Sequence, residues 1–493
     1  MKAILPSLDF DSTNPLYLQL YTYIKNAILN GEMLPGEKLP SLRRLAKSLN
    51  LSLTTISLAY NQLLVEGYIM SKPQSGFYVE EIAHLPGASS NEQSFSPLST
   101  DLKDMTVNPL SFEESLRVNQ GSLYYDLSCF DFVKWKKCMN KVLNDYPHML
   151  LSEGEPKGEV ALRYEISKYV YQSRGVICTP DQIVIGAGTQ QITNQLCTML
   201  DRMNIKHVAL EDPGYLPVRN IFRDRYFAMT NVPVGKEGIH IHKLPSNIPS
   251  AVYVSPSNQF PTGYVMPIGK RHELLYWANE NDSIIIEDDY DSELRYFGRP
   301  IPSLQGLDKD QRVVYLGSFS STLFPSIKIS YMILPERMVE VFDAAVGDYT
   351  QTCSKTEQLT LAIYMEKGYY RTNIKKLRNL YAQKLSAVIS AMSRYGSQVI
   401  RPINSSSGIN MLLTVNSSKT PATLSREAAA IGISVLPIAT YTEDFPQTSS
   451  TMIFYYNQIP LGDIDTAVKS LVNAWKKPMS TIKKTTQNMN GIE

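Results

Sequence analysis

The sequence has 493 residues, which is too long for one hydrophobic core and predicts about three domains. Its 48 lysines and arginines nearly balance its 47 aspartates and glutamates, so the net charge indicates neither a nucleic-acid nor a membrane partner. The five cysteines are scattered and never form a Cys-x-x-Cys pair, which argues against disulfides and against a zinc site. Because no signal pattern or long apolar run is present, we expect a soluble, cytoplasmic protein.

Residues 13–80 have the pattern of three short helices followed by a hairpin. Apolar residues recur with a helical period in the first segment, and two further helices follow the capping residues Ser41 and Ser52. A turn at residues 72–76 then joins two short strands. This order predicts a winged helix-turn-helix domain, whose third helix enters the major groove of DNA. The alternative is a small domain that only docks to a protein partner.

Polar side chains of this domain are the predicted DNA contacts. Hydroxyls at the start of the third helix are expected to face bases, whereas basic residues and the hairpin turn are expected to face phosphates. The candidate DNA-binding residues are Ser41, Arg43, Arg44, Ser52, Thr54, Thr55, Ser57, Lys72, Gln74, Ser75 and Gly76.

The module resembles the GntR family of bacterial repressors and activators. The resemblance is carried by residues 15–17, 34–41 and 66–68, which read Pro-Leu-Tyr, Leu-Pro-Gly-Glu-Lys-Leu-Pro-Ser and Glu-Gly-Tyr. It implies double-stranded DNA as a partner. Many members of this family carry arginines on the recognition helix, where this sequence has Leu53 and Leu58. Reading of guanine by arginine is therefore not expected from that helix.

The rest of the chain predicts a linker and a larger α/β unit. Residues 81–119 are rich in turn-forming and polar residues, as in a flexible connector. In residues 120–380, apolar strands alternate with helical segments, which predicts a mostly parallel sheet covered by helices on both faces. Residues 381–477 are assigned to a small C-terminal α+β subdomain, residues 1–12 to an N-terminal tail and residues 478–493 to a polar tail.

Unusual residues follow the predicted strands of this unit, where ligands bind in parallel sheets. Residues 186–189, Gly-Ala-Gly-Thr, open a helix as a phosphate cradle would, and Tyr215 follows the next strand. The turn at residues 255–263 is rich in polar side chains, and the apolar strand at residues 284–286 runs into the carboxylates of residues 287–289. A carboxylate at the end of a buried strand requires a cationic partner.

One ligand, pyridoxal 5'-phosphate, would satisfy these features together. Its phosphate requires the start of a helix, its ring requires an aromatic face, and its pyridine nitrogen requires a carboxylate. The order and spacing resemble fold-type I aminotransferases, and specifically the MocR-type regulators, in which such a domain follows a GntR-type module. That resemblance assigns the phosphate to Gly188, Thr189, Ser318, Ser320 and Lys328, the ring face to Tyr215, the pyridine nitrogen to Asp288, and the phenolic oxygen to Tyr290 and Asn258.

The family's reactive lysine is missing from this sequence. Residues 318–321 read Ser-Phe-Ser-Ser where the family has Ser-Phe-Ser-Lys, so Ser321 stands where the Schiff-base lysine is expected. That lysine anchors the cofactor and transfers a proton, so we expect no internal aldimine and no catalytic residue. Lys328 stands where the family usually has arginine. The arginine that holds a substrate carboxylate is also missing, since no arginine follows Arg426.

The sequence therefore predicts a homodimeric transcriptional regulator whose aminotransferase-like domain senses a small molecule without turnover. The resemblance implies a head-to-tail dimer on an operator with two half-sites. The effector is expected to be a B6 vitamer held noncovalently, an adduct of pyridoxal phosphate with an amino acid, or another amino-acid-like molecule. The alternatives are a working aminotransferase with a DNA-binding appendage and a purely structural dimerisation domain. No metal site is predicted, because His240 and His242 alternate as on a solvated face.

Overall fold

The structure is a computed structural model that describes residues 8–9, 14–72, 75–81, 126–295, 302–403, 408–443 and 450–476. The chain divides into two compact units, Met1–Ser111 and Phe112–Glu493. The predicted linker after Glu81 and most of both predicted tails lie outside the described residues. Within those residues, no helix is long and apolar enough to cross a membrane, and no three His, Cys, Asp or Glu side chains are grouped to hold a metal ion.

The first unit is a three-helix domain with a hairpin. Its elements are α1 (Leu16–Leu29), α2 (Leu42–Leu49), α3 (Leu53–Val65), β1 (Ile69–Lys72) and β2 (Gly76–Val79). Ser41 caps α2, and Ser52 caps α3 by accepting a hydrogen bond of 3.0 Å from the Thr55 N–H. Asn50 adopts a left-handed φ of 52°, which ends α2 and turns the chain into α3. The predicted winged helix-turn-helix is confirmed.

The second unit combines a large and a small sheet with helices. Its helices are α4 (Phe132–Asp145), α5 (Val160–Arg174), α6 (Thr189–Arg202), α7 (Leu216–Asp224), α8 (Ile268–Glu280), α9 (Leu304–Leu307), α10 (Glu336–Val346), α11 (Lys355–Glu366), α12 (Tyr369–Gly396), α13 (Pro421–Ala430) and α14 (Ile464–Lys476). Its strands are β3 (Ile183–Gly186), β4 (His207–Asp212), β5 (Ala228–Gly235), β6 (Gly238–Ile239), β7 (Ala251–Val254), β8 (Ile284–Asp289), β9 (Val313–Ser318), β10 (Ser330–Ile333), β11 (Ile400–Ile403), β12 (Met411–Val415), β13 (Val435–Pro437) and β14 (Thr451–Phe454).

The large sheet has eight strands in the order β3-β10-β9-β8-β7-β4-β5-β6. The neighbours from β9 through β8, β7 and β4 to β5 are parallel, whereas β10 and β6 pair antiparallel with their neighbours. The mixed, mostly parallel sheet predicted from the alternation of strands and helices is therefore confirmed. Because β3, β8 and β9 run in the same direction, their carboxyl ends lie at one edge of the sheet.

Both faces of this sheet are covered because its strands are apolar at consecutive positions. In β3, Ile183 and Ile185 pack into one core with residues of α4, α5 and α11, whereas Val184 packs into the opposite core with residues of α6 and α10. Burying each such side chain stabilises the fold by roughly 1.5–3 kcal/mol. Strands of this kind place their last residues, and the polar side chains that follow, at a desolvated edge.

The small sheet is antiparallel, with the strand order β11-β12-β14-β13. It packs on α13, α14 and the second half of α12, which contributes Val388 and Met392 to the small core. The first turn of α12 instead contributes Tyr370 to the core of the large sheet. The helix α12, which has 28 residues, thus joins the two cores of the second unit.

Candidate functional site

A cavity of about 490 Å³ lies at the carboxyl ends of β3, β8 and β9. It is called the first cavity here. The predicted cofactor residues that line it are Gly188, Thr189, Tyr215, Asp288, Tyr290, Ser318, Ser320, Ser321 and Lys328. Of the predicted set, only Asn258 does not line it. The structure thus brings together residues that are up to 140 positions apart in the sequence, from 188 to 328.

One end of the first cavity is suited to an anion. Gly188 precedes α6 with a φ of 88°, and the first N–H groups of a helix have no acceptor within it. The Ser318 hydroxyl oxygen accepts hydrogen bonds from the Ser330 hydroxyl (3.0 Å) and the Ser320 N–H (3.3 Å). Its own O–H can therefore donate a hydrogen bond to a ligand. Lys328 adds a positive charge. These are the groups that bind phosphates.

The loop that carries Ser321 is held from behind by α12. The Thr322 hydroxyl and the Tyr370 hydroxyl are hydrogen bonded at 2.9 Å, and the Asn373 amide donates to the Thr322 carbonyl at 2.7 Å. Ser321 is half-buried and lines the first cavity from this anchored turn. Among the described lining residues, Lys328 is the one that carries an amine, and it lies beyond this turn in a left-handed conformation with a φ of 49°.

Asp288 supplies a buried carboxylate to the first cavity. Its side chain accepts a hydrogen bond of 2.6 Å from the Tyr253 hydroxyl. Burial raises the pKa of Asp288 to about 7; the Tyr253 hydrogen bond opposes this shift, and the neighbouring charge of Asp289 adds to it. A cation or a protonated ring nitrogen placed against this carboxylate would offset the desolvation.

Aromatic side chains form the rest of the wall, and sequence reasoning missed most of them. Tyr215 was predicted, but Phe260, Tyr441 and Tyr455 were not; neither were Gln190 and Ile409. The ring of Phe260 lies edge-on to those of Tyr215 (5.9 Å) and Tyr441 (4.9 Å). Tyr455 directly follows strand β14, and this position after a strand is the local signal that could have indicated it.

Asn258 lies behind Tyr290 instead of on the cavity wall. Its amide donates to both carboxylate oxygens of Asp291, at 2.9 and 2.8 Å, and to the Tyr290 hydroxyl at 3.3 Å. Burial raises the pKa of Asp291 well above its ordinary value. Asn258 therefore positions the Tyr290 hydroxyl, and its predicted contact with a ligand remains a prediction.

The predicted DNA-binding residues of the first unit fall into two groups. The hydroxyls of Ser52 and Thr55 are hydrogen bonded to each other at 2.8 Å in the cap of α3, and Ser41 caps α2. The side chains of Arg43, Arg44, Thr54, Lys72 and Ser75 are exposed, while Ser57 and Gly76 are half-buried. Gln74 lies outside the described residues.

The hairpin carries a basic cluster that sequence reasoning identified only in part. The ammonium groups of Lys72 and Lys38 lie 4.8 and 5.6 Å from the centre of the Tyr78 ring, and Ser75 is hydrogen bonded to the Tyr78 hydroxyl at 2.6 Å. Lys38 was not predicted as a contact, although it belongs to the family motif at residues 34–41. Two positive charges held near one ring would attract a phosphate.

The exposed face of α3 is apolar at Leu53 and Leu58, where many members of the family that the sequence resembles carry arginines. Leu53 and Leu58 are each 48% exposed, and they border a shallow surface together with Leu42, Thr54 and Ser57. A leucine on a recognition helix can contact the methyl group of thymine but cannot donate a hydrogen bond to a base.

Comparison with known proteins agrees with both units. Residues 16–79 match the gntR family of bacterial regulatory proteins, and residues 117–450 match the aminotransferase class I and II family. The chain is 38% identical to the HTH-type transcriptional regulator YdeL of Bacillus subtilis, with 96% of this chain and 99% of that protein covered. It is 29% identical to the probable rhizopine catabolism regulatory protein MocR of Rhizobium meliloti, with 91% of each covered.

The solved structures that match share the fold of the second unit. The kynurenine aminotransferase of Pyrococcus horikoshii, solved in complex with PMP, matches with a TM-score of 0.63 and 22% identity, covering 77% of this chain and 98% of that one. The fold and the comparisons thus define a regulator in which a winged helix-turn-helix is joined to an aminotransferase-type domain. The chain belongs to the gntR family of bacterial regulatory proteins, in the group whose members carry an aminotransferase class I and II domain.

The buried carboxyl of Asp288 predicts a pH-dependent stability. Because its folded-state pKa is raised to about 7, the folded protein retains a proton that the unfolded chain has released. The free energy of unfolding should therefore fall as the pH rises from about 4 to about 7. Asp288→Asn keeps an acceptor for Tyr253 but cannot ionise, so its melting temperature should fall less over this range than that of the wild type.

Scanning calorimetry of the ligand-free chain at several pH values checks this prediction. Other buried acids also titrate in this pH range, since burial raises the pKa of Glu287 and of Glu293 to about 7. The measured quantity is therefore the difference in melting temperature between the variant and the wild type at each pH. Asp310→Asn, which removes an exposed carboxylate, is the control. Parallel curves for Asp288→Asn and the wild type would contradict the assignment.

Proposed function

We propose that this DNA-binding transcriptional regulator binds a pyridoxal-type phosphate noncovalently in the first cavity and uses it to sense a small molecule without turning it over. The observation that carries the proposal is the composition of the cavity. An anion-binding end, an aromatic face and a buried carboxylate surround a position that is occupied by Ser321, a hydroxyl, where a covalent anchor requires an amine.

The residues of the first cavity fit the parts of pyridoxal phosphate. The start of α6 at Gly188 and Thr189, with Ser318, Ser320 and Lys328, would hold the phosphate. Tyr215 would lie against the ring, Asp288 would pair with its protonated nitrogen, and Tyr290 would face its phenolic oxygen. When bound, pyridoxal phosphate supplies an aldehyde that condenses with amines and a ring that accepts electrons.

The chain's own residues argue against turnover of an amino acid. The Ser321 hydroxyl cannot form an imine and is a poor base near neutral pH, so neither the anchoring nor the proton transfer expected of a lysine is available there. No arginine occurs among the described residues that line the first cavity. A substrate carboxylate would instead meet the hydroxyls of Tyr441 and Tyr455, which lie 3.5 Å apart.

The regulator is proposed to act as a homodimer on an operator with two half-sites. Winged-helix regulators commonly bind as symmetric pairs, and the symmetry of the protein is then matched by that of the DNA. The sensed molecule would be the B6 phosphate itself, its adduct with an amino acid, or an amino-acid-like molecule. A ligand controls DNA binding only if its affinity differs between a conformation of the protein that binds DNA and one that does not.

The variant Ser321→Lys tests the noncovalent mode. Pyridoxal phosphate is mixed with the protein, borohydride is added, and the peptide that contains residue 321 is examined by mass spectrometry. The wild type should gain no cofactor mass on this peptide, whereas Ser321→Lys should gain the mass of one cofactor, because the introduced amine is placed in a cavity that already fits the rest of the molecule.

Ser326→Lys is the matched control, since it introduces an amine at an exposed position of the same segment that does not line the cavity. It should not be labelled more than the wild type. Covalent labelling of the wild-type cavity peptide would contradict noncovalent binding. An unlabelled Ser321→Lys protein that still folds would show that the cavity does not present the cofactor to this position.

The apolar face of α3 predicts recognition of thymine. In operators isolated from random DNA by binding selection, replacing a thymine that faces Leu53 or Leu58 by uracil removes one methyl group. Affinity should fall by about 0.8 kcal/mol, or roughly fourfold. In the Leu53→Ala or Leu58→Ala variant, the corresponding loss should disappear, as a double-mutant cycle would measure. Indifference to uracil at every selected position would exclude this mode of reading.

The basic cluster on the hairpin predicts contacts that are independent of sequence. In the double variant Lys38→Ala, Lys72→Ala, the slope of log affinity against log salt concentration should decrease by roughly two, because each phosphate contact contributes about 0.9. Lys25→Ala is the control, since Lys25 pairs with Glu66 at 3.5 Å. Fluorescence anisotropy measures this slope for the selected and for the scrambled DNA. A loss of affinity for the selected sequence alone would contradict a phosphate role.

A further inference from the structure

A second cavity, of about 370 Å³, lies in the same unit and carries an excess of positive charge. Its walls come from α5, from the segment after β8 and from α12. The arginines that line it are Arg174, Arg295, Arg371 and Arg378, and one carboxylate, that of Glu293, lies among them.

Two of these arginines lack a carboxylate partner. Arg174 is already paired with Asp289 at 2.7 Å. Arg371 donates to the side chain of Gln172 and Arg378 donates to the Arg295 carbonyl at 3.2 Å, so both bind neutral acceptors. In the described part of the chain, no carboxylate lies within ion-pair distance of either guanidinium. Positive charges gathered in a concave surface in this way attract an anion.

The spacing of the two arginines suits a molecule with two separated acid groups. Residues that are three, four or seven positions apart lie on the same face of a helix. Arg371, Ile374 and Arg378 therefore share one face of α12. Seven residues rise about 10 Å along the axis. The apolar side chain of Ile374 lies between the two charges and also lines the cavity. A short hydrocarbon chain with a carboxylate at each end matches this pattern.

The opposite wall adds hydrogen-bonding groups. The Glu293 carboxyl accepts a hydrogen bond of 3.0 Å from the Tyr169 hydroxyl, and burial raises the pKa of Glu293 to about 7. The Ser292 hydroxyl oxygen is buried and has no hydrogen-bond partner among the residues described. An unsatisfied buried hydroxyl destabilises the fold, and a ligand carboxylate that accepts a hydrogen bond from it would remove that deficit.

We propose that the second cavity is a binding site for a small organic dicarboxylate, which bridges Arg371 and Arg378. A guanidinium binds a carboxylate through two parallel hydrogen bonds, which makes the pair stronger than a single charged contact. Inorganic phosphate has the charge but not the length to bridge the two arginines, and it leaves Ile374 uncovered. This site is distinct from the first cavity and does not depend on a cofactor there.

Isothermal titration of the full-length protein with succinate, glutarate and adipate tests the proposal, with butyrate and inorganic phosphate as comparison ligands. At least one dicarboxylate should bind, and more tightly than butyrate or phosphate. Arg371→Ala and Arg378→Ala should each weaken that binding by about tenfold or more. Arg394→Ala is the matched control, because Arg394 lies on the same helix but pairs with Asp465 at 2.9 Å.

Each other outcome overturns the proposal. Unchanged binding in Arg371→Ala, or no binding by any of the three dicarboxylates, would exclude the site. Equal binding of phosphate would exclude a dicarboxylate as the ligand class. An equal loss in Lys328→Ala, with none in Arg371→Ala, would place the anion in the first cavity. Arg371→Lys separates charge from geometry, since it keeps the charge and should still bind more weakly than the wild type.

Discussion

Strand β8 is buried on both faces and ends in three consecutive carboxylates, and the surrounding parts of the second unit supply their partners. Glu287 accepts hydrogen bonds from the N–H groups of Leu304 and Gln305, at 2.8 and 3.0 Å. Asp289 is paired with Arg174. Asp288 has the Tyr253 hydroxyl and otherwise faces the first cavity. A buried carboxylate requires compensation, and Glu287 and Asp289 find donors or a cation within the fold, whereas Asp288 has the Tyr253 hydroxyl and an open side toward the first cavity.

The fold could be predicted from the sequence because its signals are local. The caps at Ser41 and Ser52, the glycine turn before α6 and the carboxylates that end β8 each lie within a few residues of the element they define. Tyr441 and Tyr455 could not be assigned to the first cavity in this way, and neither could Arg371 to the second. They reach their cavities only through the packing of distant segments, for which no local pattern exists.

Under the proposed function, the first cavity holds its cofactor without a covalent anchor. A covalent anchor holds a cofactor regardless of its concentration, whereas noncovalent groups hold it only at equilibrium. Occupancy then follows the concentration of the ligand, and the protein gains stability from binding in proportion to the logarithm of that concentration. A cavity filled in this way would report how much of the molecule is present, as the proposed sensing function requires.

The helix α12 connects three parts of the second unit. Its 28 residues form a rod about 42 Å long. At one end, Tyr370 and Asn373 hold the turn that carries Ser321; Arg371 and Arg378 line the second cavity; and at the other end Val388 and Met392 belong to the core of the small sheet. Since the small sheet, the second cavity and the Ser321 turn all contact this one helix, a displacement of α12 would move groups in all three places together.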